Sequence, residues 1–305
     1  MRSLSDCPNN SLVLIDELEL ALHPKAQIEL LGYLTGVARR KTLTVIFSTH
    51  SASLLKRVDR RQILFLENVD GIVTTIRGCY PTYALGSIAY DEERAPDVVI
   101  YVEDDAAVYV TDVLVRRFIS TRFAAQPASF PTVHVVPIGP FMNVIRFLGR
   151  SRALLPTSTR SHALLDEDVQ QETVAQWQTA ANHTMLAELQ QFDAHIAFLP
   201  WTPEVGLVEF LRNPAADAQR KVREHYADHR ITIRAQDIGQ IPANPGAEQR
   251  HASKAATRRV SEHIASLLPN ADADQVRKIL FELFASWHFS ANQAQVMALL
   301  GPRLA

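Results

Sequence analysis

Apolar residues follow a strand-and-helix rhythm over the first two thirds of the chain and a purely helical one afterwards. Short, mostly apolar runs recur at Leu12–Ile15, Leu43–Phe47, Val98–Val102, Thr132–Val136, His162–Leu165 and His195–Leu199. Runs of this length, closed by polar residues, are what buried strands of a parallel sheet look like. Helical stretches separate them. His23-Pro24 opens one with Ile28, Leu31, Leu34 and Val37 toward one side, and a short one covers Ser53–Val58. Others run from the Glu103-Asp104-Asp105 strand end to about Ser120 and over Met142–Leu148, Glu172–Gln191 and Glu204–Leu211. Gln62–Leu66 and Ile72–Ile76 read as a hairpin across Asn68-Val69-Asp70-Gly71. Repeated strand-then-helix order predicts an α/β fold with right-handed parallel connections and helices on both sheet faces.

Beyond Pro214 the strand signal fades, apart from an extended piece at Ile231–Ile233. Ile241–Gly246, with two prolines, is a loop. Two helices follow, one marked by Val260, Ile264 and Leu267, the other by Val276, Ile279, Leu280, Leu283, Phe284 and Trp287. The expected organisation is therefore an α/β unit over 1–78, a connector over 79–96, a second parallel-sheet unit over 97–213 and a helical region over 214–305.

Composition excludes several classes. No apolar run approaches the roughly 18 residues of a membrane span. The start, MRSLSDCPNNSLVLIDE, is not a secretory signal, because a single basic residue precedes only a four-residue apolar run. Cys7 and Cys79 have neither metal-binding nor disulfide-framework spacing, so a reducing cytoplasm is expected. The 31 basic and 33 acidic residues nearly cancel, giving −2 overall. Basic residues are nevertheless clustered, at Arg39-Arg40-Lys41, Lys56-Arg57 with Arg60-Arg61, Arg116-Arg117, Arg146 to Arg152 and Arg258-Arg259. Such patches either neutralise phosphates or are solvated helix ends.

Acids are placed more tellingly. Three strand runs end in them: Asp16-Glu17, Glu103-Asp104-Asp105 and Asp166-Glu167-Asp168. Ligands of an open parallel sheet sit beyond the carboxyl ends of its strands. A lone acid there is commonly a helix N-cap. Adjacent carboxylates repel one another unless a cation offsets them, and hard oxygen donors suit Mg²⁺ or Mn²⁺.

The sequence LVLIDE, then LHP, then TVIFSTH resembles the Walker B strand, D-loop and H-loop of ABC-type ATPases, most closely the RecF/SMC-like branch. By that resemblance Asp16 orients Mg²⁺, Glu17 polarises the attacking water and His50 senses the γ-phosphate of ATP. Leu18 stands where the family often has Pro. No GxxxxGK[ST] occurs, since none of the 11 glycines precedes a lysine, and eleven residues precede the LVLI strand. The expectation is the C-terminal portion of a larger ATPase, with ATP bound only alongside a Walker A half, which a separate chain could carry.

The second unit resembles a TOPRIM domain, marked by Glu103, Gly139 and Asp166-x-Asp168, each at a strand end and in the family's order. The combination resembles the OLD (overcoming lysogenization defect) family of ATP-dependent DNA nucleases, with motifs over residues 11 to about 212. The resemblance implies a DNA endonuclease using two Mg²⁺ or Mn²⁺ ions, held by Glu103, Asp166, Asp168 and a further acid, Glu204 or Glu209. Glu103 holds metal or acts as general acid/base, and Lys254 is the candidate for stabilising the transition-state phosphate. It also implies homodimerisation and a role in phage defence or repair. Asp104 stands where the family usually has Gly and Ala107 where some relatives have an acid, so Asp105 is the residue placed to assist Glu103.

Two other readings stand beside this one. A non-catalytic ATPase remnant would use the second unit only to bind nucleic acid or a partner. A phosphorelay receiver would share the acidic strand end of VIYVEDDAAVYV, but Asp166 lies too far along and no Lys follows Leu199-Pro200-Trp201.

Overall fold

Val98–Val102 is buried at every residue, the pattern of a central parallel strand covered on both faces. The computed structural model describes residues 6–69, 72–85, 95–124, 130–269 and 271–304, and the fold is α/β. The chain divides into two compact units. The first holds residues 1–97 with 125–132 and 155–160, and the second holds 98–124, 133–154 and 161–305.

In the first unit, β1 (Leu12–Ile15) and β2 (Thr44–Phe47) pair in parallel through the crossover helix α1 (Pro24–Lys41). His23 caps α1 and Pro24 occupies its first turn, where a missing N–H costs nothing. Arg39, Arg40 and Lys41 fill its last turn, opposite the negative end of the helix dipole, which gives that basic cluster a local role. Leu34 and the half-buried Ile15 and Phe47 join Leu18 and Leu54 in a small core. The alternate residues Leu12, Leu14 and Ile46 are 59%, 69% and 48% exposed, so the other face of the pair is apolar and bare. A short helix, α2 (Ala52–Leu55), follows, then the antiparallel β3 (Leu64–Val69) and β4 (Ile72–Arg77). The hairpin forms, but its first strand is shifted: Leu64–Val69 pairs where Gln62–Leu66 was expected, Gln62 sits in a 3-10 turn, Asn68 and Val69 are in the strand, and residues 70 and 71 lie outside the described residues. The expected connector contains a helix, α3 (Pro81–Leu85), and its residues 86–94 also lie outside the described ones.

The second unit contains β5 (Val98–Val102), α4 (Asp105–Arg122), β6 (Val133–Pro137), α5 (Phe141–Ser151) and β7 (Arg160–Leu165). A π-helical turn at Val169–Val174 leads into α6 (Ala175–Thr179), then α7 (His183–Gln190), β8 (Ile196–Phe198) and α8 (Pro203–Arg212). The four strands form a parallel sheet in the order β6-β5-β7-β8. The single helix expected over Glu172–Gln191 is thus three pieces. Ala181 adopts a left-handed φ of 49°, and Asn182 then caps α7 by accepting the Met185 N–H.

The remaining helices are α9 (Ala218–Tyr226), α10 (Ala235–Ile238), α11 (Ala247–Leu267), α12 (Ala273–Ala291) and α13 (Gln293–Leu304). Three long helices therefore stand where two were expected, the third carrying Gly301 and Pro302 within its last turn, residues that weaken its sequence signal. Ile231–Ile233 is not a strand. Ile231 is fully buried, and the Ile233 N–H donates to the Gln219 side chain instead of to a ladder. One continuous core joins β5, α4, α8 and α11 to α13, with α12 on α4 and α11 on α8. Gly206 permits this packing: a Cβ there would lie 2.5 Å from Phe284 Cζ. No helix among the described residues is long and apolar enough to cross a membrane.

Candidate functional site

The order β6-β5-β7-β8 reverses direction between β5 and β7, because the chain leaves β5 toward β6 and returns to the other side for β7. The crevice beyond the carboxyl ends of such a pair is where doubly wound sheets bind ligands. Glu103 follows β5 there and Asp166 follows β7. The Asp166 backbone N–H donates to Glu103 Oε1 at 3.1 Å. The backbone N–H of Phe141, the first residue of α5, also acts to lower the Glu103 carboxyl. Gly139 makes this approach: it turns the chain at φ +119° and donates its N–H to the Glu103 carbonyl at 2.9 Å.

Asp168, two residues past Asp166, accepts from Thr202 Oγ1 at 3.0 Å through Oδ1, while its Oδ2 lies 3.3 Å from Arg250 Nε. Arg250 also pairs with Glu172 on the π-helical turn. Glu204, in the first turn of α8, is buried, and Lys254 Nζ on α11 stands 3.8 Å from its Oε1. A cleft of about 220 Å³ opens beside them, lined by Asp104, Asp105, Glu204, Lys254, Tyr109 and Arg277 among others. Asp104 is the N-cap of α4, its carboxylate accepting the Ala107 N–H at 3.0 Å, and Asp105 is exposed. Glu209 lies on the exposed side of α8, where its charge acts on Glu167 instead of on Asp166. Of the two acids considered for the further position, Glu204 is therefore the one beside the site.

Burial, then the charges of Asp168 and Asp104, pushes the Glu103 carboxyl up to about 7 against two lowering backbone hydrogen bonds. Asp166 is 8% exposed. Burial holds its carboxyl well above the usual range, and the charges of Glu103, Asp104, Asp168 and Glu204 add to that. Glu204 is raised for the same first reason, with Asp104 next and Lys254 and Arg277 opposing. Asp166 Oδ1 is buried with no hydrogen-bond partner among the described residues. A bare carboxylate oxygen amid excess negative charge, with oxygen donors only, fits a hard divalent cation. As the side chains stand, no three His, Cys, Asp or Glu groups among the described residues converge closely enough to hold an ion. Arg250 supplies positive charge at Asp168 in that arrangement.

In the first unit the ends of β1 and β2 are fastened together. Ser48 Oγ donates to Asp16 Oδ1 at 2.5 Å and accepts the Glu17 N–H at 2.8 Å. Glu17 takes a left-handed φ of 46°, a strained backbone of the kind that collects at functional sites. Glu19 accepts the His50 N–H at 2.6 Å and the Thr49 hydroxyl, which holds its carboxyl below the ordinary range against burial. Asp16, Glu17 and His50 are thereby brought to one strand edge. Ser48 and Glu19 were not visible as site residues because their role depends on pairing β1 with β2, which periodicity does not show.

Residues 3–56 match the model of an AAA-domain family described as putative AbiEii toxin, Type IV TA system. This segment is thus similar to an AAA-type ATPase domain. It contains Asp16, Glu17 and His50. No curated protein matches the chain.

Proposed function

We propose that the second unit is a divalent-cation-dependent DNA endonuclease of TOPRIM type, coupled to the AAA-type segment as in OLD-like nucleases. The observation that carries this reading is the unpartnered, buried Asp166 Oδ1 beside Glu103 at the reversal point of the sheet. Asp166, Asp168, Glu103 and Glu204 would hold Mg²⁺ or Mn²⁺, two ions in the family. A bound ion would supply positive charge to the entering and leaving oxygens of phosphodiester hydrolysis. Where Glu103 stays off the ion, its carboxyl, raised to about 7 by burial in the metal-free chain, is suited to take or give a proton at neutral pH. Lys254 extends its largely exposed ammonium from α11 into the same cleft, where it would meet a phosphate oxygen.

In the first unit, Asp16, Glu17 and His50 would serve ATP together with a segment carrying a phosphate-binding loop. Parallel sheets are ordinarily covered on both faces, so the bare Leu12, Leu14 and Ile46 support a covering partner for β1 and β2. That segment would come from this protein or a separate chain, and a homodimer would follow from the way ABC-type ATP sites close between two heads.

Plasmid nicking by the purified chain with Mg²⁺ or Mn²⁺, beside Asp166→Ala and Asp168→Ala, tests the nuclease. Metal-dependent nicking by the parent alone is expected. DNA binding without cleavage by the parent would favour the alternative, a nucleic-acid-binding or assembly module, for which the arginine on Asp168 is the supporting observation.

A further inference from the structure

Arg250 stands in an unusual position for a cation. Its guanidinium joins Asp168 to Glu172, and its charge also reaches Asp166. The side chain is 27% exposed, so it is held on the carboxylates and still open to solvent. Partly exposed ion pairs of this kind are weakly held and exchange readily. Glu172 is within reach because the chain after Asp168 enters a π-helical turn, a form that concentrates at functional sites.

Lys254 lies four residues further along α11, so Arg250 and Lys254 stand one above the other on one helix face. One reaches Asp168 and the other Glu204. The helix thus lays two cations along the acidic crevice. A planar guanidinium binds a phosphate through two parallel hydrogen bonds, as it does a carboxylate. A dication entering at Asp166 and Asp168 would repel the guanidinium and supply the charge it now provides. The freed arm would have a phosphate as its nearest alternative anion.

The geometry points to Arg250 as an exchangeable cation of the proposed nuclease. It rests on Asp168 and Glu172 when no divalent ion is bound and transfers to a phosphate of the DNA strand when one is. This rests on the nuclease reading for its substrate, but not for the competition with metal.

Two titrations of the full chain test it. Mn²⁺ binding by calorimetry without DNA should tighten about fivefold in Arg250→Gln, because the competing charge is gone. Binding of a labelled duplex in Ca²⁺, followed by anisotropy against salt, should weaken. The slope of log K on log[salt] should fall by about 0.9, the mark of one lost phosphate contact. Arg250→Lys, which keeps a charge, should retain the parent slope and bind Mn²⁺ nearly as the parent does. A residue that only props up the site would lower Mn²⁺ affinity on removal and leave the salt slope unchanged, and either result overturns the inference. Loss of the slope in Arg250→Lys, with parent-like melting, would overturn it too. Failure to cleave DNA with both titrations as expected would sink the nuclease reading and leave Arg250 exchanging between carboxylate and phosphate. A parent that binds no Mn²⁺ sinks both.

Discussion

Glu103 accepts the backbone N–H of Asp166 at 3.1 Å, so the acid at the end of β5 is fastened to the end of β7 across the reversal point of the sheet. The bond fixes one carboxylate by the main chain of the other's residue and leaves the second carboxylate, Asp166, buried with one oxygen bare. Two acids so close and so poorly solvated store unfavourable charge in the folded state. That makes the site's pH response predictable.

Glu103 has its folded carboxyl at about 7, above the ordinary 4.5. The folded state therefore binds a proton more readily than the unfolded one over that interval. Stability is fully present below about 4.5 and declines as pH rises through 7. Asp166 is shifted in the same direction and adds to the decline. Glu103→Gln, which cannot ionise, should stabilise the metal-free chain at pH 8 by up to about 3 kcal/mol and change little at pH 4.5. Denaturant unfolding at the two pH values in chelator checks this, and equal effects at both would be inconsistent with it.

Asp166→Asn should separate charge from shape. The amide keeps the volume and removes the ionised form that burial opposes. In chelator at pH 8 the variant should melt above the parent. Adding Mn²⁺ should raise the parent's melting temperature and leave the variant's nearly unmoved, since ligand binding to the folded state alone is what raises it. Equal Mn²⁺-induced shifts in both proteins would place the ion elsewhere.

The strand runs and the acids that close them are legible because a buried parallel strand is nearly all apolar, and the polar break after it is where a ligand can sit. What is not legible lies in contacts between distant elements. Thr202 meets Asp168 through the pairing of β7 with β8, and Arg250 meets it only after α11 folds back on α8. The π-helical turn after Asp168 carries no periodicity of its own, and only its second half, from Glu172, falls in the single helix expected over Glu172–Gln191. Ile231–Ile233 has a strand's composition but satisfies its backbone through Gln219, a choice made by tertiary packing.

Gly139 and Gly206 should fail differently when replaced by alanine. At Gly139 the nearest atom to a new Cβ is 3.5 Å away, but φ is +119°. The cost there is backbone strain of about 1–3 kcal/mol, released by moving the turn that holds Glu103. At Gly206 φ is ordinary and the obstacle is Phe284 Cζ at 2.5 Å, an overpacking cost of about 1–3 kcal/mol. Both variants should lose stability in denaturant titrations, but only Gly139→Ala should also weaken Mn²⁺ binding. Loss of Mn²⁺ binding in Gly206→Ala alone would reverse that assignment.

Leu14 tests the bare sheet face of the first unit. Its side chain is 69% exposed on β1 and points away from the core that holds Ile15 and Phe47. Substitutions at such positions usually change stability by no more than about 0.5 kcal/mol. Leu14→Lys should therefore leave the unfolding midpoint of the isolated chain nearly unchanged. If Leu12, Leu14 and Ile46 are the seat of a covering partner or a second copy, the same change should reduce self-association in sedimentation velocity, because it places a charge where apolar surface is buried. A marked loss of stability in the isolated chain would mean that this face is already covered within it. An unchanged sedimentation profile of an associating parent would move the interface off the β1–β2 face.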